Sequence, residues 1–249
     1  MQRYFLENAY DENQATYHVT GEPYHHMIHV MRMKVADQVY LSFTNQVSII
    51  AEIQAISEEA VTLTALSIET SEKELPVAIT IASGFPKGDK LEWIVQKGTE
   101  LGAHAFIGFP AQASVVKWDA KKLAKKQARL QKIAQEAAEQ AHRQVCPTIE
   151  LYTAMTELFA NVPNYDQVLV AYEEAAKVGE RAQLVQTLSA MKPGQTLLVI
   201  FGPEGGLSPK EIAELEALGA TCCGLGPRIL RTETAPLYLL SATSFHFEL

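Results

Sequence analysis

Two stretches of this chain have the composition of loops that cradle a ligand: GPEGGLSPKE at Gly202–Glu211 and LGPRILRTETA at Leu225–Ala235. Each follows a short apolar run that reads as a strand, TLLVI before the first and TCCG before the second, and each leads into a helical pattern. Glycine in such a loop lets backbone approach a ligand with no Cβ between them, and in open α/β sheets ligands settle outside the carboxyl ends of strands. The helix after the first loop has a well-specified start. Ser208 suits the N-cap, Pro209 the first helical position, and Glu211 completes a capping box. Gly202–Leu207 is therefore a loop of set shape hung on a fixed helix.

The elements that must position these loops alternate. Before residues 70–76 lie β-rich segments at Gln38–Phe43, Ser48–Ile56 and Ala60–Ile68, which predict a small β-rich unit. TSEKELP then forms a charged hinge. Beyond it come VAITIASGF, a helix over Leu91–Leu101, AFIGF, a long Ala-rich helix, QVLVAY, a helix around Glu180–Ala190, TLLVIF, a helix from Ser208, TCCGLG and a last helix into the C-terminus. That order predicts an α/β fold with a mostly parallel sheet covered on both faces, and a division into residues 1–72 and 73–249. Along the long helix, Leu123, Leu130, Ile133, Ala137 and Ala141 form one stripe, and Lys121, Lys125, Arg129 and Lys132 gather on the opposite side. A charge run of this kind is first of all a solvated face.

Composition narrows the function. The 249 residues, 47% apolar and 20% charged, suffice for one large core or for two smaller ones. No run nears the about 18 consecutive apolar residues of a spanning helix, and MQRYFLENAYDEN lacks a secretory pattern, so the expected location is the cytosol. Three cysteines, two of them adjacent at Cys222 and Cys223, read as reduced strand thiols, with no zinc spacing. A net charge of −8 argues against coating nucleic acid with the whole surface, while local basic patches remain open. ASGFPKGDK stands where a dinucleotide fingerprint belongs, and no GxxxxGK[ST] occurs, which disfavours nicotinamide and flavin enzymes and excludes a P-loop.

Four segments in order, FPKGDKLEWIVQKGTELG (Phe85–Gly102), EAAEQAHRQVCP (Glu136–Pro147), FGPEGGLSPKE (Phe201–Glu211) and LGPRILRTETA, resemble the RsmE-type ribosomal RNA uracil-N3 methyltransferases of the SPOUT superfamily. QRYFL with HHMIHVMRMK (His25–Lys34) is similar to that family's PUA-like RNA-binding domain, so the likeness covers nearly the whole chain. It implies a deep trefoil knot near the C-terminus, S-adenosyl-L-methionine bound in the knot, and a homodimer acting on 16S rRNA in the assembled small ribosomal subunit. The chain departs from the family pattern at Val35-Ala36-Asp37, where a glycine usually precedes the aspartate, and around Arg143, which stands as the lone guanidinium of its segment.

Under that resemblance the cofactor candidates are Gly202, Glu204, Gly205, Gly206 and Gly226, with Leu225, Ile229 and Leu230 as an apolar wall for the adenine ring. Glu204 also suits the amides of its own loop. Positioning two reactants for in-line displacement supplies about 7–11 kcal/mol of barrier reduction. Uracil N3 must also lose its proton, which calls for a base or for cations that stabilise the anion. Arg143 and Arg231 match motif positions and suit the cation role; no residue stands out as the base. Arg231 has an alternative as an ion-pair partner of Glu233 or Glu204, beside a Thr232 or Thr234 cap for the last helix.

N3 lies on the pairing edge, so the target base must be met unstacked. Tyr4, Phe5, Phe85 and Trp93 are candidate platforms that equally suit a core. Arg3, Arg32 and Lys34, with Lys87, Lys90 and Lys97, are candidates for phosphate contacts. His25 and His26 fit either RNA or structure. Two other readings stay open: a superfamily enzyme acting on a ribose 2′-hydroxyl or on transfer RNA, and a non-catalytic RNA-binding assembly factor.

Overall fold

A computed structural model describes residues 1–173 and 182–249. The chain forms two compact units: Met1–Glu74 with Ala138–Cys146, and Leu75–Ala137 with Pro147–Leu249. Besides the part before the hinge, the first unit thus takes in Ala138–Cys146, the end of the long helix and the turn after it.

The first unit is a five-stranded sheet of β1 (Gln2–Phe5), β2 (Thr16–Val19), β3 (Gln38–Ser42), β4 (Ser48–Ile56) and β5 (Val61–Ile68), in the order β1-β3-β4-β5-β2. Only β1 and β3 run parallel. Period-two alternation sends Ile49, Ala51 and Ile53 of β4 and Val61 and Leu63 of β5 inward, where they meet Tyr4, Tyr17, Val39 and Leu41. The short helix α1 (Gly21–His25) runs on into a π-helical turn at His26–Val30, and Met27 closes the core.

Arg3, expected at an RNA phosphate, is instead part of this interior. Its guanidinium is 1% exposed, donates to Ser42 and Ser48 at 2.7 and 3.0 Å, pairs with Glu69 at 2.6 Å and lies over the Tyr40 ring. A charge so enclosed is held by its partners and cannot reach a ligand. Hydrogen bonds from Lys73 and Arg3 overcome the burial of Glu69 and keep its carboxyl below the usual range. Tyr4 is likewise core, its hydroxyl 3.0 Å from His26 Nδ1, while His25 is exposed with its ring tilted against that of His29. Arg32 and Lys34 are exposed.

The turn lacking its glycine keeps a glycine-like shape: Ala36 has φ 74°, with its amide bonded to Ile53 O and Asp37 accepting from the Lys34 amide. An alanine there is strained by about 1–2 kcal/mol. Ala36→Gly is therefore expected to stabilise the protein by roughly 0.5–1 kcal/mol after the entropy glycine adds to the unfolded chain. Urea unfolding checks this, and a lower midpoint would refute the strain.

In the second unit six parallel strands stand, among the described residues, in the order β11-β9-β10-β6-β7-β8: β6 (Ala78–Gly84), β7 (Ala105–Phe109), β8 (Thr148–Leu151), β9 (Gln167–Ala171), β10 (Thr196–Phe201) and β11 (Thr221–Cys223). Burial on both faces explains their unbroken apolar runs, and Leu197 through Ile200 are fully buried. Among the described residues the helices are α2 (Lys90–Glu100), α3 (Ala120–Gln140), α4 (Met155–Asn161), α5 (Gln183–Ala190), α6 (Pro209–Ala217) and α7 (Thr234–Glu248). α3 runs through the boundary between the units.

Sequence pattern missed β8 and α4. β8 is a four-residue edge strand with only Ile149 buried, too short for its alternation to show. Glu180 and Arg181, where the next helix was expected to begin, lie outside the described residues. The basic side of α3 is exposed as expected, and Arg129 pairs with Glu92 at 2.7 Å. Phe85 is buried against Trp118, whereas Trp93 is 50% exposed with Lys97 over its ring. All three cysteines are free of disulfides, and burial, then Glu216, pushes the Cys222 thiol up to about 11. Among the described residues no helix is long and apolar enough to cross a membrane and no His, Cys, Asp and Glu are grouped to hold a metal.

Candidate active site

β9, β10 and β11 lie side by side, so their carboxyl ends deliver three loops to one place. The α6 start is built as its sequence specifies. Ser208 Oγ accepts from the Glu211 amide at 3.3 Å, and Glu211 Oε2 accepts from the Ser208 amide at 2.8 Å. The other Glu211 oxygen takes the Gln112 amide at 2.8 Å, so the same carboxylate ties α6 to the chain after β7.

Between strand and helix, Gly202–Leu207 turns back on itself with the Gly206 amide bonded to Pro203 O at 2.8 Å. A Cβ at Gly202 would fall 2.8–2.9 Å from backbone atoms of Gly206 and Leu207, which leaves that position to glycine. Gly206, at φ 72°, adopts the left-handed conformation that completes the turn. After β11 the chain passes through Gly226, at φ 90°, into the run that ends at α7.

These loops enclose a cavity of about 430 Å³. Gly202, Glu204, Gly205 and Gly206 line it from one side, and Leu225, Gly226, Ile229 and Leu230 from the other. All eight candidate cofactor residues thus meet around one space, with Tyr172 and Glu173 from the end of β9 closing it. Arg228, absent from the sequence-based candidates, also lines it and is exposed; its place between Gly226 and Ile229 is the sequence signal that marks it.

The charged groups are arranged by Lys90, at the start of α2. Its ammonium lies 2.8 Å from Glu204 Oε1 and 3.3 Å from Glu233 Oε2, and the Lys87 amide donates to the same Glu204 oxygen at 3.1 Å. Burial opposes the Glu204 charge, but bonds from Lys90, its own amide and the Lys87 amide outweigh it and lower its pKa. Lys90 in turn is raised, first by Glu204. Both acids weighed as partners of Arg231 are therefore taken by Lys90.

Arg231 is exposed, and among the described residues its guanidinium has no ion pair; its carbonyl accepts from the Thr234 and Ala235 amides at 2.8 and 3.0 Å. Neither threonine is the N-cap of α7: Glu233 occupies that place, and its side chain makes no capping bond. Arg231 directly adjoins Leu230 and Thr232 of the lining. Lys87 is exposed and Lys97 pairs with Glu100 at 2.8 Å.

Arg143, the other cationic candidate, belongs to the first unit. It is 3% exposed, and Glu74 receives its Nε at 3.1 Å and its Nη2. The same carboxylate accepts from the Gln144 and Val145 amides, so Arg143 is ion-paired and Glu74 fixes the segment after α3.

A parallel sheet with a loop-lined cavity at its carboxyl ends, in a chain that also carries a small β-rich unit, defines an α/β protein of two units. Residues 73–244 match the RNA methyltransferase domain, and residues 19–66 match the RNA methyltransferase PUA domain. The ribosomal RNA small subunit methyltransferase E of Bacillus subtilis (strain 168) is 47% identical, the match covering 100% of this chain and 98% of that protein. A crystal structure of a hypothetical protein, 45% identical, superposes with a TM-score of 0.91 over 99% of both chains. The Neisseria gonorrhoeae ribosomal RNA small subunit methyltransferase E, solved bound to S-adenosyl methionine, is 25% identical with a TM-score of 0.83, covering 98% of this chain and 97% of that one. The chain belongs to the ribosomal RNA small subunit methyltransferase E family.

Proposed function

We propose that this protein transfers a methyl group from S-adenosylmethionine to N3 of one uridine in 16S rRNA, with the assembled small subunit as substrate. The observation that carries this reading is the single cavity shared by the Gly202–Leu207 and Leu225–Leu230 loops in a chain of this family. Its volume of about 430 Å³ lies in the range of small-molecule sites. The residues present fit an adenosyl group. Backbone at Gly202, Gly205, Gly206 and Gly226 offers N–H and C=O groups to adenine, while Leu225, Ile229 and Leu230 offer an apolar wall. Bound there, S-adenosylmethionine supplies a methyl group on a sulfonium, an electrophile that needs no further activation.

The chain's own contribution is positioning and charge. Arg231, exposed and without a carboxylate partner among the described residues, is the group we assign to the negative charge that develops on uracil as N3 loses its proton. Arg143 shapes the segment after α3 through Glu74. For the RNA, Arg32, Lys34, Lys87 and Lys97 remain phosphate candidates, and the half-exposed Trp93 remains a platform for an unstacked base. Homodimerisation, a trefoil knot threading the glycine loops, and a cytoplasmic location complete the proposal. The net charge of −8 suits an enzyme that disfavours non-specific RNA and depends on a few basic contacts.

Nucleoside mass spectrometry tests the reaction directly. Small subunits lacking this modification, incubated with the protein and S-adenosylmethionine, are expected to yield 3-methyluridine. A ribose-methylated nucleoside instead would move the target to the 2′-hydroxyl. RNA binding without any heat of binding to S-adenosylhomocysteine would make the protein a non-catalytic assembly factor.

A further inference from the structure

We propose that Lys90 is a positioning residue that clamps the two pocket loops together and thereby governs release of the bound nucleotide. The idea rests on the adenosyl reading of the cavity and adds a group outside its lining. Lys90 opens α2, whose Leu91, Ile94 and Val95 are buried and which packs against α7. The ammonium thus projects from an anchored helix, while both of its acids sit on the loops. Glu204 lines the cavity from the β10 side, and Glu233 ends the run from β11 and leads into α7. One cation bridging two loops couples their motion. Opening the pocket between them requires Lys90 to give up one carboxylate.

The bridge is unequal. Glu204 holds Lys90 at 2.8 Å and also receives the Lys87 amide, so that side is doubly fastened. Glu233 Oε2 lies 3.3 Å from the ammonium, farther than Glu204, and among the described residues that buried oxygen has no well-aligned hydrogen bond. The clamp therefore opens at Glu233, which frees the Leu225–Thr232 run while the glycine loop stays with α2. Side-chain exposures of 28%, 30% and 21% for Lys90, Glu204 and Glu233 mean that such pairs add little to global stability. Their effect falls on the loops.

The test measures dissociation of S-adenosylhomocysteine by stopped flow from wild type, Lys90→Met, Lys90→Arg, Glu233→Gln and the Lys90→Met/Glu233→Gln pair. Lys90→Met is expected to release the nucleotide roughly tenfold faster, with a nearly unchanged ligand-free melting midpoint. In turnover its KM for S-adenosylmethionine should rise with kcat largely kept. Lys90→Arg should restore most of the slow release, and Glu233→Gln should add nothing in the Lys90→Met background because the pair is already broken. Wild-type release rates in Lys90→Met, or an arginine variant no slower than methionine, would overturn the clamp. Failure of wild type to bind the nucleotide at all would overturn the pocket reading, and the clamp with it.

Discussion

Replacing Gly202 by alanine is expected to weaken S-adenosylhomocysteine binding by roughly ten- to a hundredfold, the equivalent of about 1–3 kcal/mol of overpacking. The reason is local and steric. The added Cβ meets three backbone atoms of Gly206 and Leu207 within 2.9 Å, and backbone cannot rotate aside as a flexible side chain does. The loop must open. β10 itself is held on both sides by β9 and β6, so the sheet should survive, and the far-ultraviolet circular dichroism of the variant should match wild type. Gly206→Ala is the matched comparison: nothing lies within 4 Å of its Cβ, and only the φ of 72° is strained. Its loss should be smaller. Calorimetry that ranks Gly206→Ala as the more damaging change would show that close approach at Gly202 is not what shapes the pocket.

Arg231→Ala should lower kcat by about 10²–10³-fold while leaving nucleotide affinity nearly intact. The expectation follows from what surrounds the residue. Had its guanidinium been bound to Glu204 or Glu233, its loss would loosen a loop, and binding and turnover would fall together. Lys90 holds both acids instead, and Arg231 is exposed beside the pocket lining. Single-turnover methylation with saturating S-adenosylmethionine, set against the dissociation constant of S-adenosylhomocysteine, separates the two effects. Equal losses in both would make Arg231 a structural residue.

The parts of the site legible from sequence are those governed by short-range rules. Ser208, Pro209 and Glu211 specify a helix start within four residues, and the structure carries that start with both capping bonds. Glycines clustered after an apolar strand announced the loops, and all eight candidate cofactor residues line the same cavity. Strands buried on both faces declared themselves through unbroken apolar runs such as TLLVIF. Signals faded where elements are short or lie at an edge: β8 buries one residue, and α4 has no side-chain N-cap and spans only Met155–Asn161. The turn at Ala36 shows the reverse case, in which surrounding bonds impose a conformation that the residue itself disfavours.

Charge pairing was the least legible. Arg3, Arg143 and Arg231 look alike in sequence as arginines in promising motifs, yet the first is buried with Glu69, the second bound to Glu74 and the third free of an ion pair among the described residues. The partners of the first two lie 66 and 69 positions away along the chain, and Lys90 is separated from Glu204 by 114. The sequence alone determined the two glycine loops and the start of the helix after the first, because capping, turn and periodicity rules act within a few residues, while the family was marked by the resemblance of its motifs. Only the tertiary structure decided which cations are buried, which are bridged and which remain available for chemistry. An ion pair depends on which distant segments fold against one another and on how much water they exclude, and neither is written in local spacing.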